Sequence, residues 1–340
     1  MYQALYRKYR PQTFDDMVGQ QAVTQTLKTQ ILSNKLSHAY LFTGSRGTGK
    51  TSSAKILAKA VNCENPQDGN PCNCCSSCRA IDSGSCMDVL EIDAASNNGV
   101  DNVRDLRDDA IYSPSQVKKR VYIIDEVHML SLSAFNALLK IIEEPPEKVV
   151  FFLLCDTVSP ILQTVISRSV MVNLKPLSLD ELKVISNGRA RDFELNYCMG
   201  NPGKLKEIIS DEEFLSLRND AVNKFVKIAS DDAYCVYEAV QFLDKNKEEK
   251  DELFAILLLF ARDALYKKLG MDSLVINTDK INEINAFKGK ASAKALLKIM
   301  QIILNTQVQK GKYGNYTIAV TNMLFKCREE LDGRSNRNSF

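Results

Sequence analysis

The sequence predicts an α/β fold. A parallel sheet carries a phosphate-binding loop and an inserted cysteine module, and a short helical segment and an all-α C-terminal domain follow. Three observations lead there. Gly44-Ser45-Arg46-Gly47-Thr48-Gly49-Lys50-Thr51 fits G-x-x-x-x-G-K-S/T and lies between an apolar run and a helical stretch. Apolar runs of strand length alternate with helical segments from Ala39 to Val172, the pattern of a parallel sheet. From Asp211 onward, apolar residues recur at helical spacing.

Bulk composition bounds the rest. A chain of 340 residues exceeds one ordinary core, so two or three domains are expected. With 45% apolar and 25% charged residues it reads as a soluble globular protein. The apolar run Ala255–Ala261 is too short to span a bilayer. Met1-Tyr2-Gln3-Ala4 lacks the apolar core of a signal peptide. The expectation is a cytoplasmic protein without membrane contact. A net charge of +2 is low for a dedicated nucleic-acid binder, so any DNA contact has to come from a local patch or from several subunits together.

The first 38 residues open with Tyr6-Arg7-Lys8-Tyr9-Arg10-Pro11, which on pattern alone reads equally as a solvated arm. Gln21–Leu32 predicts a helix, with Val23, Leu27, Ile31 and Leu32 on its apolar side. Ala39–Phe42 predicts a buried strand, and Ser52–Ala60 the helix after the phosphate loop. Gly44, Gly47 and Gly49 allow backbone N–H groups to turn toward phosphates, and the helix N-terminus adds partial positive charge. Thr48 and Ser52 belong to the same phosphate-facing stretch. Lys50 would reach the β- and γ-phosphates, and the Thr51 hydroxyl would ligate Mg²⁺.

Six of the ten cysteines lie between Cys63 and Cys86, and in a cytosolic chain such a cluster points to metal rather than disulfides. Cys72, Cys75 and Cys78 have C-x-x-C-x-x-C spacing, and Cys63 can close a four-thiolate structural Zn²⁺ site. Cys74 and Cys86 are spare, and His38 and His128 are isolated. The stretch Asn62–Ser77 is too rich in Asn, Gly, Pro and Ser to pack a core, so a metal would order it.

Asp88–Ile92 predicts a strand, Ala94–Gly99 a turn and Val100–Ile111 a helix. Val121-Tyr122-Ile123-Ile124 is a continuous apolar run, as expected of a strand buried on both faces. It ends in Asp125-Glu126, at the strand end where open α/β sheets bind ligands. Asp125 would hold Mg²⁺, and Glu126 would polarise the attacking water. Phe135–Glu144 predicts a helix stopped by Pro145-Pro146, and Val149–Leu154 a strand ending at Cys155-Asp156-Thr157. Ile161–Val165 leads to Ser167-Arg168-Ser169, and Val170–Val172 closes the sheet. Ser178 and Asn201 read as helix caps, the latter followed by Pro202. Three apolar stripes predict core faces of a bundle. They are Leu253, Ile256, Leu257 and Phe260, stopped by Gly270; Ala295, Leu296, Ile299, Ile302 and Ile303; and Ile318, Val320, Met323, Leu324 and Cys327.

Together these residues resemble the bacterial DNA polymerase III clamp-loader γ/τ subunits, which are AAA+ ATPases. The resemblance covers roughly residues 2–172. Besides the phosphate loop and the cysteines, it rests on Tyr6–Phe14, Val18-Gly19-Gln20, Ser37–Phe42, Glu91–Ser96, Ile124–Leu130 and Asn136–Lys140. It implies that Arg7, Arg10, Pro11 and Val18 surround adenine and ribose. It implies that Arg168, in Ser-Arg-Ser where the family reads Ser-Arg-Cys, is an arginine finger toward a neighbouring subunit, and that the four cysteines bind zinc. After residue 172 the pattern shifts. Asn201-Pro202-Gly203-Lys204-Leu205 and the segment around Gly314-Asn315-Tyr316 are similar to the δ′ subunit of the same machine. Lys204, with Arg191 as the other candidate, takes the lid position that senses the γ-phosphate. Asp156 falls on the sensor position after the fourth strand, where an acid repels that phosphate.

The implied fold is an AAA+ nucleotide domain over 1–174 with a zinc module at 62–79, a short lid over 175–209, a helical collar over 210–332 that carries oligomerisation, and a disordered tail over 333–340. The implied cofactors are ATP, Mg²⁺ and Zn²⁺. The implied partners are the other clamp-loader subunits (γ/τ, δ, δ′) in a hetero-oligomeric ring, the sliding clamp and primed DNA. The implied function is an ATP-driven subunit of the DNA polymerase III holoenzyme that loads the clamp on primed DNA. A weakly or non-hydrolysing δ′-like scaffold is the alternative. A small-molecule P-loop kinase is disfavoured by paired Asp125-Glu126 and the helical C-terminal third.

Overall fold

The computed structural model describes residues 10–209, 211–230, 232, 234–308 and 315–332. Arg7, Gly314 and the expected tail over 333–340 lie outside the described residues. The chain divides into two compact units. The first ends at Arg189 and also takes in Cys198–Glu207; the second consists of Ala190–Tyr197 and the chain from Ile208 onward. The segment expected as one lid, 175–209, is therefore shared between them.

Among the described residues, five parallel strands form the sheet of the first unit: β1 (Ala39–Thr43), β2 (Val89–Asp93), β3 (Arg120–Asp125), β4 (Val149–Cys155) and β5 (Val170–Asn173), in the order β2-β3-β4-β1-β5. Alternate strand residues feed two cores. Leu41, Tyr122, Ile124, Phe151 and Leu153 face one side, where Val103 of α4 (Val100–Ala110) and Phe135 and Leu138 of α5 (Leu132–Glu143) cover them. Tyr40, Phe42, Ile123, Phe152 and Leu154 face the other, against Leu27 of α1 (Gln21–Leu32) and Ile56 and Leu57 of α2 (Lys50–Asn62). Every residue of β4 is buried, which explains its unbroken apolar run. Tyr122 stacks on Phe151 at 5.3 Å between ring centroids, and Tyr40 meets Phe152 edge-on at 5.6 Å. The register aligns Thr43 with Cys155 and Asn173, and Asp93 with Asp125, so the strand C-termini share one edge.

Caps set several helix boundaries. The α5 helix starts at Leu132, three residues before the Phe135 expected from sequence, because Ser131 Oγ accepts the Ala134 N–H. Ser178 and Glu181 form a complete capping box at α7 (Leu179–Ser186). The cysteine-containing loop runs into α3 (Ser76–Ser83), and α6 (Gln163–Ile166) precedes β5.

The second unit is helical: α8 (Asp192–Tyr197), α10 (Glu212–Lys227), α11 (Tyr234–Lys245), α12 (Lys250–Lys268), α13 (Ile281–Gly289), α14 (Ala293–Val308) and α15 (Tyr316–Leu331). The stripe on α12 is buried as expected, and Gly270, with φ of 77°, follows that helix in the left-handed region open to glycine. On α14, Ile302 is half-buried and the rest of its stripe is buried. Ile318 corrects the third stripe: it is 64% exposed while Val320, Met323, Leu324 and Cys327 are buried. Ile318 precedes Val320 by two positions, about 200° around a helix, and so faces away.

Arg218 on α10 is 1% exposed. It donates two hydrogen bonds to Asp279 (2.7 and 2.9 Å) and one to Asn277 (2.6 Å), and its guanidinium lies 4.1 Å from the Phe193 ring centroid. Burial raises the Asp279 carboxyl, but the Arg218 hydrogen bonds and charge outweigh it and hold the group below its ordinary value. The folded pKa is thus depressed, so the stabilisation is complete at neutral pH and fades as pH falls below about 4. Asp279→Ala strands a buried charge. It is expected to destabilise the helical unit by about 3 kcal/mol, the low end for a buried pair because Asp279 keeps partial contact with water. The shift in urea midpoint at pH 7 measures this, and it should shrink on acidification.

Candidate functional site

The β1–α2 connection turns through Gly44, Gly47 and Gly49. Gly49 stands before α2 with φ of 102°, a conformation that a Cβ strains. Thr48 is buried and its hydroxyl donates to Ser45 O at 2.7 Å, bracing the loop. Lys50, Thr51 and Ser52 form the first turn of α2. Lys50 is 7% exposed, and its ammonium has three acceptors: Gly44 O at 2.7 Å, Ser45 O at 3.3 Å and Asp156 Oδ1 at 2.6 Å. Asp156 follows β4 directly, which explains how an acid far along the chain reaches the loop.

Asp125 ends β3 and accepts the Thr51 hydroxyl at 3.2 Å. Hydroxyl and carboxylate thus converge beside Lys50, an oxygen pair suited to Mg²⁺. Glu126 adopts φ 49°, ψ 42°, a left-handed conformation uncommon outside glycine, and its N–H donates to Asp125 Oδ1 at 2.9 Å. His128, isolated in the sequence, has its Nδ1 3.3 Å from Glu126 Oε2.

Two residues absent from the sequence-derived site touch the loop. Asn201 donates through Nδ2 to Arg46 O, and Gly203 N–H donates to Gly47 O at 3.2 Å. A Cβ on Gly47 would stand 2.3 Å from Asn201 Oδ1, so that glycine serves close approach as well as backbone freedom. The signal was the dipeptide Asn201-Pro202 that opens α9 (Pro202–Ile209); only Lys204, whose N–H donates to Asn201 Oδ1 at 3.0 Å, was singled out there. Arg191, the other lid candidate, pairs with Glu194 at 2.8 Å in the second unit. Arg10, Pro11 and Val18 are partly buried in the segment before α1. Arg168 is not brought into this cluster. It pairs with Glu143 at 3.0 Å and donates to Thr164 O at 3.2 Å, with 40% of its side chain exposed.

The Sγ atoms of Cys63, Cys72, Cys75 and Cys78 lie within 4.8 Å of one another. Backbone N–H groups donate from Cys72 to Cys63 Sγ (3.3 Å), from Cys75 to Cys72 Sγ (3.3 Å) and from Cys78 to Cys75 Sγ (3.4 Å). Hydrogen bonds from the Cys74 and Cys75 N–H groups bring the Cys72 thiol down to about 6, whereas burial raises Cys63 and Cys78. Four converging sulfurs that accept N–H groups fit a tetrahedral thiolate-bound Zn²⁺. Cys74 is exposed and Cys86 buried, both outside the cluster.

A family model described as DNA polymerase III, delta subunit, matches residues 19–178, and one for the C terminus of that subunit matches 212–329. The chain is 58% identical over 177 residues to the DNA polymerase III subunit tau of Bacillus subtilis, covering 52% of this chain and 31% of that one. For the Escherichia coli tau subunit the values are 47% over 182 residues, with 54% and 28% covered. The chain thus spans less than a third of the length of these two relatives. A DNA polymerase III gamma subunit-related protein of Thermotoga maritima has the same fold, at 20% identity and a TM-score of 0.50, with 90% of this chain and 99% of that one covered. The DNA polymerase III subunit gamma of Buchnera aphidicola is 34% identical over 312 residues, 92% of this chain and 83% of its own. A likeness that runs through both units to a γ subunit of similar extent shows that the chain belongs to the DNA polymerase III γ/τ subunit family.

Proposed function

We propose that the chain is an ATP-binding and ATP-hydrolysing subunit of a clamp-loader ring, which uses the nucleotide cycle to place a sliding clamp on primed DNA. The convergence of Lys50, Thr51 and Asp125 on one sheet edge, with Glu126 next in sequence, carries the reading. Arg10, Pro11 and Val18, with Arg7, surround the base. The Lys50 ammonium leaves Asp156 and the loop carbonyls for the phosphate oxygens. Thr51 and Asp125 would hold Mg²⁺, which would supply charge neutralisation for the phosphate oxygens. Glu126 polarises the attacking water. Lys204 senses the γ-phosphate. Arg168 leaves Glu143 and reaches a neighbouring subunit's nucleotide, where its guanidinium gives paired hydrogen bonds. Residues 1–174 act as the nucleotide domain, 175–209 as the lid and 210–332 as the collar. Exposed Leu297, Leu304 and Val308 on α14 suit that collar role. The four cysteines hold a structural Zn²⁺, with no position open to water.

A second reading, a weakly hydrolysing scaffold of the same ring, draws on the 2.6 Å Lys50–Asp156 pair, because that carboxylate competes with a γ-phosphate. Phosphate release in the presence of clamp and primed DNA decides between them: turnover by this chain's own site supports the first, and its absence with ATP still bound supports the second.

Lys50→Ala is expected to weaken ATP binding by two decades or more, about 2.8 kcal/mol, while Glu126→Gln keeps binding and slows turnover about 10²- to 10⁴-fold. Unchanged ATP affinity in the first variant, or unchanged turnover in the second, removes that residue's role. Metal analysis of protein purified without chelator should find one zinc per chain, retained in Cys74→Ser and lost in Cys72→Ser; a zinc-free chain contradicts the assignment. Arg168→Ala should bind ATP normally and assemble, yet lower hydrolysis at an adjacent intact site about 10³-fold. Loss of its own ATP binding, or full stimulation of the neighbour, rules out action across the interface.

A further inference from the structure

Cys63 directly follows α2, and Lys50 opens it. The helix therefore separates the cysteine module from the phosphate loop by about 20 Å at 1.5 Å per residue. The module nonetheless grips the segment that bears Arg10, Pro11 and Val18. Asn70, 8% exposed, accepts the buried Phe14 N–H through Oδ1 at 3.0 Å and donates through Nδ2 to Asp15 Oδ2 at 2.7 Å. Lys28 of α1 bridges Asp15 (2.7 Å) and Asp68 (3.0 Å). Lys59 of α2 is 1% exposed, and its three donors are divided among Gln12 Oε1 at 2.6 Å, Asn73 Oδ1 at 2.8 Å and Asp82 Oδ2 at 3.1 Å. One buried ammonium thus joins the segment before α1, the cysteine loop and α3.

The two asparagines stand between metal-candidate cysteines. Asn70 lies between Cys63 and Cys72, and Asn73 between Cys72 and Cys75. Their loop bends through left-handed Asp68, Gly69 and Asn73, and a stretch rich in Asn, Gly and Pro has little apolar surface to fix that path. The four converging sulfurs are a further constraint on that path. The gripped segment in turn lies on α2: Phe14 joins the core with Ala54 and Leu57, and Ser53 Oγ donates to Met17 Sδ at 3.6 Å.

We propose that the cysteine module is a clasp for the nucleotide-binding segment: zinc on Cys63, Cys72, Cys75 and Cys78 fixes Asn70 and Asn73, and these, directly and through Lys59, fix residues 12–15 so that Arg10, Pro11 and Val18 are set for an adenine nucleotide. Asn70 and Lys59 are positioning residues. The inference rests on the ATP-binding reading above. Because coupling between two sites is reciprocal, ATP must tighten zinc by the factor with which zinc tightens ATP.

The test measures three quantities in the wild-type protein, Asn70→Ala and Lys59→Met, each zinc-loaded and chelator-treated. These are amide exchange over residues 12–16, affinity for a fluorescent ATP analogue, and zinc loss to a competing chelator with and without ATP. Zinc-loaded Asn70→Ala and Lys59→Met should keep one zinc per chain, exchange faster at 12–16 and bind ATP about tenfold more weakly, within the usual range of coupling between sites. Stripping zinc from the wild type should do the same, and stripping it from Asn70→Ala should add little. ATP should retain zinc about tenfold better in the wild type and not in Asn70→Ala, a difference that a merely structural role of Asn70 does not produce. Unchanged exchange over 12–16 in the zinc-retaining variants overturns the clasp whether or not ATP binds. Faster exchange with unchanged ATP affinity overturns its link to the nucleotide. Failure of the unmodified protein to bind ATP overturns the reading beneath it, and is recognised by normal exchange behaviour with no ATP signal in any variant.

Discussion

A parallel sheet buries both of its faces, and that constraint fixes most of the first unit. The strands offer apolar side chains alternately to two sides, so helices must cover each side. Covering helices impose crossover connections, and crossovers send every strand in the same direction. All five C-termini then share one edge. The phosphate loop, Asp125 and Asp156 leave the sheet at β1, β3 and β4, which are neighbours in the order β3-β4-β1. Their meeting is therefore a consequence of core burial together with strand order. No local feature of any one segment would bring Asp156 onto Lys50.

That argument also separates what was legible in the sequence from what was not. The phosphate loop, the Asp-Glu strand end and the cysteine spacing are short-range patterns whose chemistry depends on a few adjacent residues; the sulfurs of Cys72, Cys75 and Cys78 converge as their spacing suggests. The apolar stripes are legible for a similar reason, because helical periodicity is local; Ile318 failed by sitting half a turn out of register with its stripe. What stayed hidden depends on pairs far apart in the chain. Asn201 contacts Arg46 across 155 positions, and Asn70 contacts Phe14 across 56. An asparagine in a polar loop reads as a turn residue whatever it later touches. Lys59 resembled any other polar residue of an amphipathic helix until packing closed over it, and its need for three acceptors then tied three segments together.

The Lys50–Asp156 contact bears on the proposed ATP-binding reading. Lys50 is nearly buried, but Asp156 keeps 38% of its side chain exposed. An ion pair with one partner in water is worth about 0–1 kcal/mol, so on the proposed reading a polyphosphate held by loop amides and a helix N-terminus would displace it readily. The carboxylate is thus a placeholder that satisfies a buried ammonium and yields readily. On the proposed ATP-binding reading, Asp156 would then be left unpaired near the terminal phosphate and would disfavour its charge.

The strand order also sets a timetable for synthesis. Ala39 of β1 pairs with Phe151 of β4 and Tyr40 with Val170 of β5, and among the described residues β1 has no other strand beside it. Its sheet partners leave the ribosome only after roughly 110 further residues, which at about 5–20 residues per second takes on the order of 5–20 s. Through that interval an apolar strand has no ladder to join, although β2 and β3 can already pair with each other. The central place of β4 therefore makes assembly of this unit late and abrupt, with the middle of the sheet closing after one of its flanks.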